Sequence, residues 1–542
     1  MKILHPSKLV LFILLSLFFL GNLAFAQNDF DMPIGMNLPS LSYFSTGLVF
    51  SDVMTTASSM MSFSQQAKDW NSRLINRIPV DSQGWPLELP YVVDGDPQGC
   101  RFLISSYYKG DYVVLFDGDG DLQWGGVKSE VRNGVTHLIF SGKRKNVWVS
   151  ILRSAKGNHI RNMRIIPARY MDHENSMPLF NSLYLKGLQP FHVLRFMDLT
   201  STNNSMHRNW SDRTKPDFFS QGTKNGMSWE YAIELANTLH QDPWICVPHQ
   251  ATDEYITQLA LLFHDKLSPD LTLYVEYSNE IWNWMFKQSN YVAQNAPGAE
   301  KHVVSGLRAV GERYCGAPDK ACHPEKDAWM MARTFRIFAK VWQKERQRLV
   351  TVAAVQHGWP DNTGRILKFL FTDKEGFKVD ALSPGGYFGF RKGDHTKWAD
   401  MHPSKVTPEM VIAAAEDSMT RRENRLTRET AMYAKKYGLD YLVYEGGQHM
   451  QPYQQKDWGY NQAVYDAQVA PGMYDLYMKN FAELKKAGCK LFMAFSYVGP
   501  REVKWGSWGH LEKLDDLYSP NLKTIAPKYQ ALLDVNTPKQ PR

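Results

Sequence analysis

The chain has 542 residues, 44% of them hydrophobic and 22% charged, a composition that excludes a disordered protein and can fill one large core or two smaller ones. The net charge is only +7, without a Lys/Arg run of the kind that marks a nucleic-acid patch, so charge singles out no class of partner.

At the start, Lys2 and Lys8 precede an apolar run over residues 9–20 that ends in Ala24-Phe25-Ala26. This order of charge, apolar core and small residues predicts a secretory signal peptide over residues 1–26. The run falls short of the ~20 apolar residues that span a bilayer, and no later segment is long enough. No C-terminal anchor signal follows. A soluble product, secreted or periplasmic, is expected.

Residues 34–38 read as a strand, and the apolar spacing of residues 50–61 predicts a helix after it, both within a segment 27–75. From residue 84 to 166 the texture changes to β-branched and aromatic runs broken by turns, such as 112–116 and 146–152. Residues 76–170 are therefore expected to form an inserted antiparallel β-sandwich. Within it, the acids of residues 117–121 alternate with glycine and invite a calcium reading. Leu122 and Lys128 stand where an EF-hand needs glycine and glutamate, so a hairpin turn is preferred and no metal is assigned.

Seven more buried-looking runs follow, at 192–196, 244–248, 273–277, 349–355, 379–382, 441–444 and 490–495. They alternate with helical stretches such as 229–239, 254–267, 328–346 and 408–437. With the first strand they make eight, and a helix over 525–533 closes an α/β (β/α)8 TIM barrel whose remainder spans 171–535. An open doubly wound sheet finds no support, because Gly-x-Gly-x-x-Gly follows none of these strands.

Five cysteines cannot all pair. Cys315 and Cys322 flank a turn-forming stretch, 316–319, that a disulfide can close in an oxidising compartment, and their spacing fits no common zinc pattern. Cys100, Cys246 and Cys489 sit in or against apolar runs, as buried thiols do.

Chemistry in such a barrel belongs to the C-terminal ends of the strands. Glu280 follows the fourth strand and Glu445 the seventh, facing each other across the mouth. Glycosidic cleavage needs two carboxyls, one to protonate the leaving oxygen and one to attack the anomeric carbon or activate water. Either glutamate alone has a plainer explanation, at a helix start or before a Gly-Gly turn. The pair, at those two stations, favours catalysis.

Asn279-Glu280 after strand four, with Glu445 after strand seven, resembles clan A of the glycoside hydrolases. The resemblance implies retaining hydrolysis of β-linked sugars, with Glu280 as acid/base and Glu445 as nucleophile. It also implies that Arg195 hydrogen-bonds the nucleophile, that His249 is an active-site histidine, that Asn279 holds the sugar 2-hydroxyl and that Tyr387 contacts the nucleophile. Residues 274–283 are similar to secreted bacterial proteins often labelled cellulose-binding, which keeps a non-catalytic carbohydrate-binding protein as the alternative. The sequence departs from the clan at Gly385-Gly386-Tyr387, where His-x-Tyr is usual, and at Phe495 and Tyr497, where a platform tryptophan is usual.

Electrostatics predicts that Arg195 keeps Glu445 ionised with a low pKa, while Glu280, beside Trp282 and Trp284 and facing an anion, is raised. Trp359 and Trp508 are candidate sugar platforms, with Trp505 a further one. His357, next to Trp359, is similarly placed, although a satisfied structural histidine is the ordinary reading. Metal-dependent hydrolysis would draw on His249, His357 and Glu445, but no His-x-His or His-Glu-x-x-His spacing supports it. No cofactor is required. The expected partner is an oligo- or polysaccharide, with no nucleic acid and no membrane, and the chain is expected to be a monomer. Sugar, linkage and endo or exo action stay open, because loops set them. The 283–327 connection is expected to wall the cleft, and the insertion to brace the barrel or extend the cleft.

Overall fold

A computed structural model describes residues 32–143, 145–297, 299, 323–372 and 376–538. The expected signal peptide and the Cys315–Cys322 pairing lie outside the described residues. The chain begins with β1 (Ile34–Asn37) and then builds β2 (Met61–Ser64), β3 (Tyr91–Val93), β4 (Asp96–Ile104), β5 (Lys109–Asp117) and β6 (Gly120–Gly125). β7 (Lys128–Arg132), β8 (Val135–Ser141), β9 (Val147–Ser154) and β10 (Arg161–Pro167) follow. The remaining strands are β11 (Val193–Arg195), β12 (Asp242–Val247), β13 (Leu273–Tyr277), β14 (Leu349–Val355), β15 (Ala381–Phe388), β16 (Asp440–Gln448) and β17 (Cys489–Ala494).

β1 and β11 to β17 form one closed barrel in sequence order, all parallel, with β17 pairing back to β1. Side-chain alternation divides each strand between two cores. On β12, Trp244 and Cys246 join Val352, Ala354 and Leu491 inside the barrel, while Ile245 and Val247 pack in the layer shared with the helices. Gly35 is needed for the inner layer: a Cβ there would stand 2.2 Å from Met493 Sδ. The helix Asp253–Lys266 shows how the outer layer is built. Thr252 caps it by accepting from Tyr255 N at 3.2 Å, and Ile256, Leu259, Ala260 and Phe263 are buried at helical spacing.

Between β1 and β11 lie two antiparallel sheets, ordered β10-β5-β8-β7 and β2-β4-β9-β6, with β3 on β4. One buried cluster draws on both, including Phe102 and Val149 from one and Val114 and Leu138 from the other. Val53, Met54, Ala57 and Met60 belong to the same cluster. The helix expected over 50–61 is instead one 3-10 turn, Val53–Thr56, followed by β2. Its apolar spacing serves the core of the sheets, while Phe50 just before it stacks on Phe180 at 5.5 Å.

The hairpin expected at residues 117–121 is also corrected. β5 and β6 belong to different sheets, so the turn carries the chain from one to the other. Arg153 pairs with two of its acids, reaching Asp119 at 2.7 Å and Asp121 at 2.8 Å.

β15 and β16 run past their expected ends, through the two Gly-Gly pairs. A Cβ on Gly446 would stand 2.7 Å from Gly386 O, and one on Gly386 2.6 Å from Val443 Cγ1. These glycines look like turn formers in the sequence, yet they permit close strand approach. Tyr387 and Glu445 therefore lie inside strands, with Gly385 paired to Glu445.

Candidate active site

β11 ends on Arg195, which is wholly buried. Its guanidinium donates to both carboxylate oxygens of Glu276, each at 3.0 Å, to Asn37 Oδ1 and Asn279 Oδ1, each at 2.9 Å, and to Glu445 Oε2 at 3.1 Å. One cation thus ties together β1, β11, β16 and the end of β13. Glu276 is itself held by Trp244 Nε1 at 2.8 Å and by the Cys246 thiol at 3.3 Å. A buried charge persists only when paired and hydrogen-bonded in this way.

Glu445 is 4% exposed. Glu280 arrives just beyond β13 on a tight backbone path, with Ser278 at φ 56° and Glu280 at φ 41°. Such left-handed residues carry strain and gather at functional sites. Tyr444 O–H donates to Glu280 Oε1 at 3.3 Å, and Asn283 Nδ2 donates to Oε2 at 2.8 Å. Tyr444 adjoins Glu445 in the chain, so both carboxyls belong to one cluster.

Burial raises the Glu280 carboxyl, against the hydrogen bonds from Asn283 and Tyr444 and the charge of Arg195. Burial, and then the charge of Glu280, push Glu445 up to about 8, with Arg195 opposing. The low Glu445 value expected from Arg195 is thus reversed. The reason is burial first and the charge of Glu280 second, with Asp198 and Glu276, the latter through its bidentate pair with the guanidinium, adding to them against Arg195. Two buried carboxyls under mutual repulsion titrate as a pair that retains one proton.

Asn279 is also fixed, its amide donating to Asn203 Oδ1 at 3.1 Å. Tyr387 faces both carboxyls, and its burial, then the charges of Glu445 and Glu280, push its phenol well up. A cleft of ≈ 470 Å³ opens over Glu280, lined among others by Trp282, His357, Tyr387, Tyr444 and His449. Trp508 adjoins it, stacked on His449 at 5.1 Å and tilted against Tyr387 at 5.7 Å. His357 Nε2 lies 3.3 Å from Glu423 Oε2, a structural pairing that still leaves the ring in the cleft wall. Of the expected residues, Glu280, His357 and Tyr387 line this cleft, whereas Glu445, Arg195, Asn279, Trp508, His249 and Trp359 do not. His249 is 1% exposed, and burial, with Lys287, lowers it to about 4, so it is neutral. Trp359 follows the turn at His357-Gly358, directly before the helix Pro360–Thr372, and is not among the cleft residues.

Sequence reasoning missed Glu276, Asn37, Asp198 and His449. Glu276 carried a readable signal, being a charge on the inward face of an otherwise apolar strand. Asp198, three residues past Arg195, is pushed up to about 6 by burial against the pull of Arg195, and its charge raises Glu445. Among the described residues no three His, Cys, Asp or Glu side chains group as metal ligands.

No family model matches this chain, and no curated protein does. Among solved structures it is similar to xylanase 10C from Cellvibrio japonicus, at 10% identity over 90% of this chain and 99% of that one, with a TM-score of 0.32. It is similar to a GH10 protein from Paenibacillus barcinonensis at 13% identity, over 66% and 92% of the two chains, with a TM-score of 0.33. A family 5 mannosidase from Rhizomucor miehei gives 10% identity, 65% and 86% coverage and a TM-score of 0.32.

Proposed function

We propose that the protein is a secreted glycoside hydrolase that cleaves β-linked glycans with retention, using Glu280 as acid/base and Glu445 as nucleophile. The observation that carries this reading is the meeting of two carboxyls, from the fourth and seventh barrel strands, in one buried site where the charge of Glu280 raises Glu445. The charged, apolar and small-residue pattern of residues 2–26 supports secretion.

A pair that holds one proton is what double displacement requires. With the proton on Glu280 and the charge on Glu445, Arg195 Nη1 steadies the nucleophile through its hydrogen bond. Glu280 protonates the glycosidic oxygen as Glu445 attacks the anomeric carbon, and the leaving alcohol departs with that proton. Ionised Glu280 then takes a proton from water, whose oxygen attacks the anomeric carbon and releases Glu445. Asn279, oriented by Arg195, is available to the 2-hydroxyl.

The test is turnover on β-linked glucans, mannans, xylans and aryl glycosides. Glu445→Ala is expected to lose at least ~10³-fold in rate, with azide restoring activity on an aryl glycoside. Wild-type protein that binds a polysaccharide without cutting it, with binding that survives both Glu280→Ala and Glu445→Ala, would make this a non-catalytic binding protein.

A further inference from the structure

A second and larger cleft, of ≈ 1070 Å³, adjoins the first. Trp508 and Phe495 line it, and their rings pack on Tyr387, at 5.7 and 6.3 Å, so one aromatic cluster separates the two clefts. Asp198, whose charge reaches Glu445, also lines it. Tyr387, which lines the first cleft with Glu280, therefore packs against the wall of the second, which also carries the candidate platforms Trp505 and Trp508.

Its walls come from three parts of the chain. Phe44 belongs to the loop after β1, Trp505 to the loop after β17, and Tyr107 to the turn between β4 and β5 of the inserted sheets. Phe44 and Trp505 stay 63% and 59% exposed although they sit in a concavity. Large rings left bare in a cleft mark a ligand surface. Flat apolar faces beside the carboxylate of Asp198 suit a pyranose, which offers C–H faces for stacking and hydroxyl donors for carboxylates. The volume reaches the top of the ~300–1,000 Å³ usual for ligand clefts, and so suits several linked rings rather than one.

The insertion holds Tyr107 in place from both sides. Tyr108 O–H donates to Phe50 O at 2.6 Å, at the junction with the barrel, and Ser106 Oγ accepts from Lys145 N at 2.9 Å. The rings of Tyr108, Tyr112 and Phe140 lock the base of the turn, with Tyr112 at 5.6 Å from Tyr108 and 5.2 Å from Phe140. Phe50 in turn packs on Phe180 and Tyr231 of the barrel.

We infer that this second cleft binds further sugar units of the glycan chain cut at Glu280 and Glu445, and that the inserted sheets supply one of its walls through Tyr107. The inference rests on the hydrolase reading for the bond that is cut. The substrate is then an extended chain rather than a disaccharide or a small glycoside.

The test compares wild type, Tyr107→Ala, Phe44→Ala and Tyr107→Phe on the hexasaccharide and the aryl monoglycoside of whichever panel sugar turns over. Calorimetric binding to cellohexaose, mannohexaose and xylohexaose is measured in parallel. Each alanine variant should lose about five-fold in kcat/KM on the hexasaccharide, keep its activity on the aryl monoglycoside, and Tyr107→Phe should keep both. Equal losses on both substrates, or none on either, would overturn the inference. If wild type cuts nothing, the hydrolase reading fails by itself. Hexasaccharide binding that weakens in Tyr107→Ala and returns in Tyr107→Phe would then still uphold the cleft. Binding that is absent in wild type, or unchanged in the variants, would overturn it.

Discussion

Glu276 holds Arg195 through both carboxylate oxygens at 3.0 Å, whereas Glu445 receives a single hydrogen bond from it at 3.1 Å. Glu276 thus offsets part of the pull of Arg195 on Glu445, adding to the burial and the Glu280 charge that raise it. Glu276→Gln keeps the size and one acceptor but removes the charge, which leaves Arg195 to act on Glu445 alone. The Glu445 pKa should fall by about 1–2 units, carrying the acidic limb of the kcat/KM profile down with it. An acidic limb that stays in place would show that Glu445 does not sense this balance.

The eight strands, and the positions of Glu280, Glu445 and Arg195 along them, were legible because each strand contains an apolar run that these residues close or follow. The direction of the Glu445 shift was not, because its two largest causes, burial and the charge of Glu280, depend on how distant strands close around it. The reach of β15 and β16 was hidden by glycines, whose role as turn former or as close-approach residue depends on a neighbouring strand. The apolar spacing of Val53, Met54, Ala57 and Met60 looked helical because it matches a helix face, yet it fills a core made by strands that follow later in the chain.

Trp508 offers a second test. Its ring lies over His449 at 5.1 Å, and a Cβ on Gly506 would come within 2.2 Å of it. Trp508→Ala should remove ~1–2 kcal/mol of sugar contact, read as roughly a five- to thirty-fold rise in KM with a smaller change in kcat. A fall in kcat at constant KM would instead make the ring a support for Tyr387.

Asp52 governs stability at the junction of sheets and barrel. Its Oδ1 accepts from Met54 N and Ile165 N at 2.9 and 2.8 Å. Burial pushes its carboxyl up to about 7, against both hydrogen bonds and Arg164. With the folded pKa above the unfolded ~3.9, the folded chain holds the extra proton between these values. The stability this gives is complete below the unfolded pKa and is lost as pH rises through about 7. Asp52→Asn mimics the protonated acid, keeping an Oδ1 for both donors. The variant should match wild type near pH ~4 and exceed it in Tm by pH ~8. A Tm difference that does not grow with pH would show that Asp52 is ionised throughout.

Lys528 should show the opposite slope. It lies in the helix Pro527–Val535, is 4% exposed, and donates to Gln468 Oε1 at 3.0 Å and Ser507 O at 2.8 Å. Ser507 O also accepts from Gln448 Nε2 at 2.9 Å, so the end of β16 and the loop carrying Trp508 share one network. Burial pulls the ammonium down to about 7, against the charge of Glu512. The neutral amine keeps two N–H donors for its two acceptors, so the network survives loss of the proton. Because the folded pKa lies below the unfolded ~10.4, the stability contributed is complete above the unfolded pKa and is lost as pH falls through about 7. Lys528→Met removes this dependence along with the two hydrogen bonds. The Tm advantage of wild type over the variant should therefore widen from pH ~6 to ~9. A constant advantage across that range would show that Lys528 stays charged in the folded protein, and that the network before Trp508 is held by an ammonium.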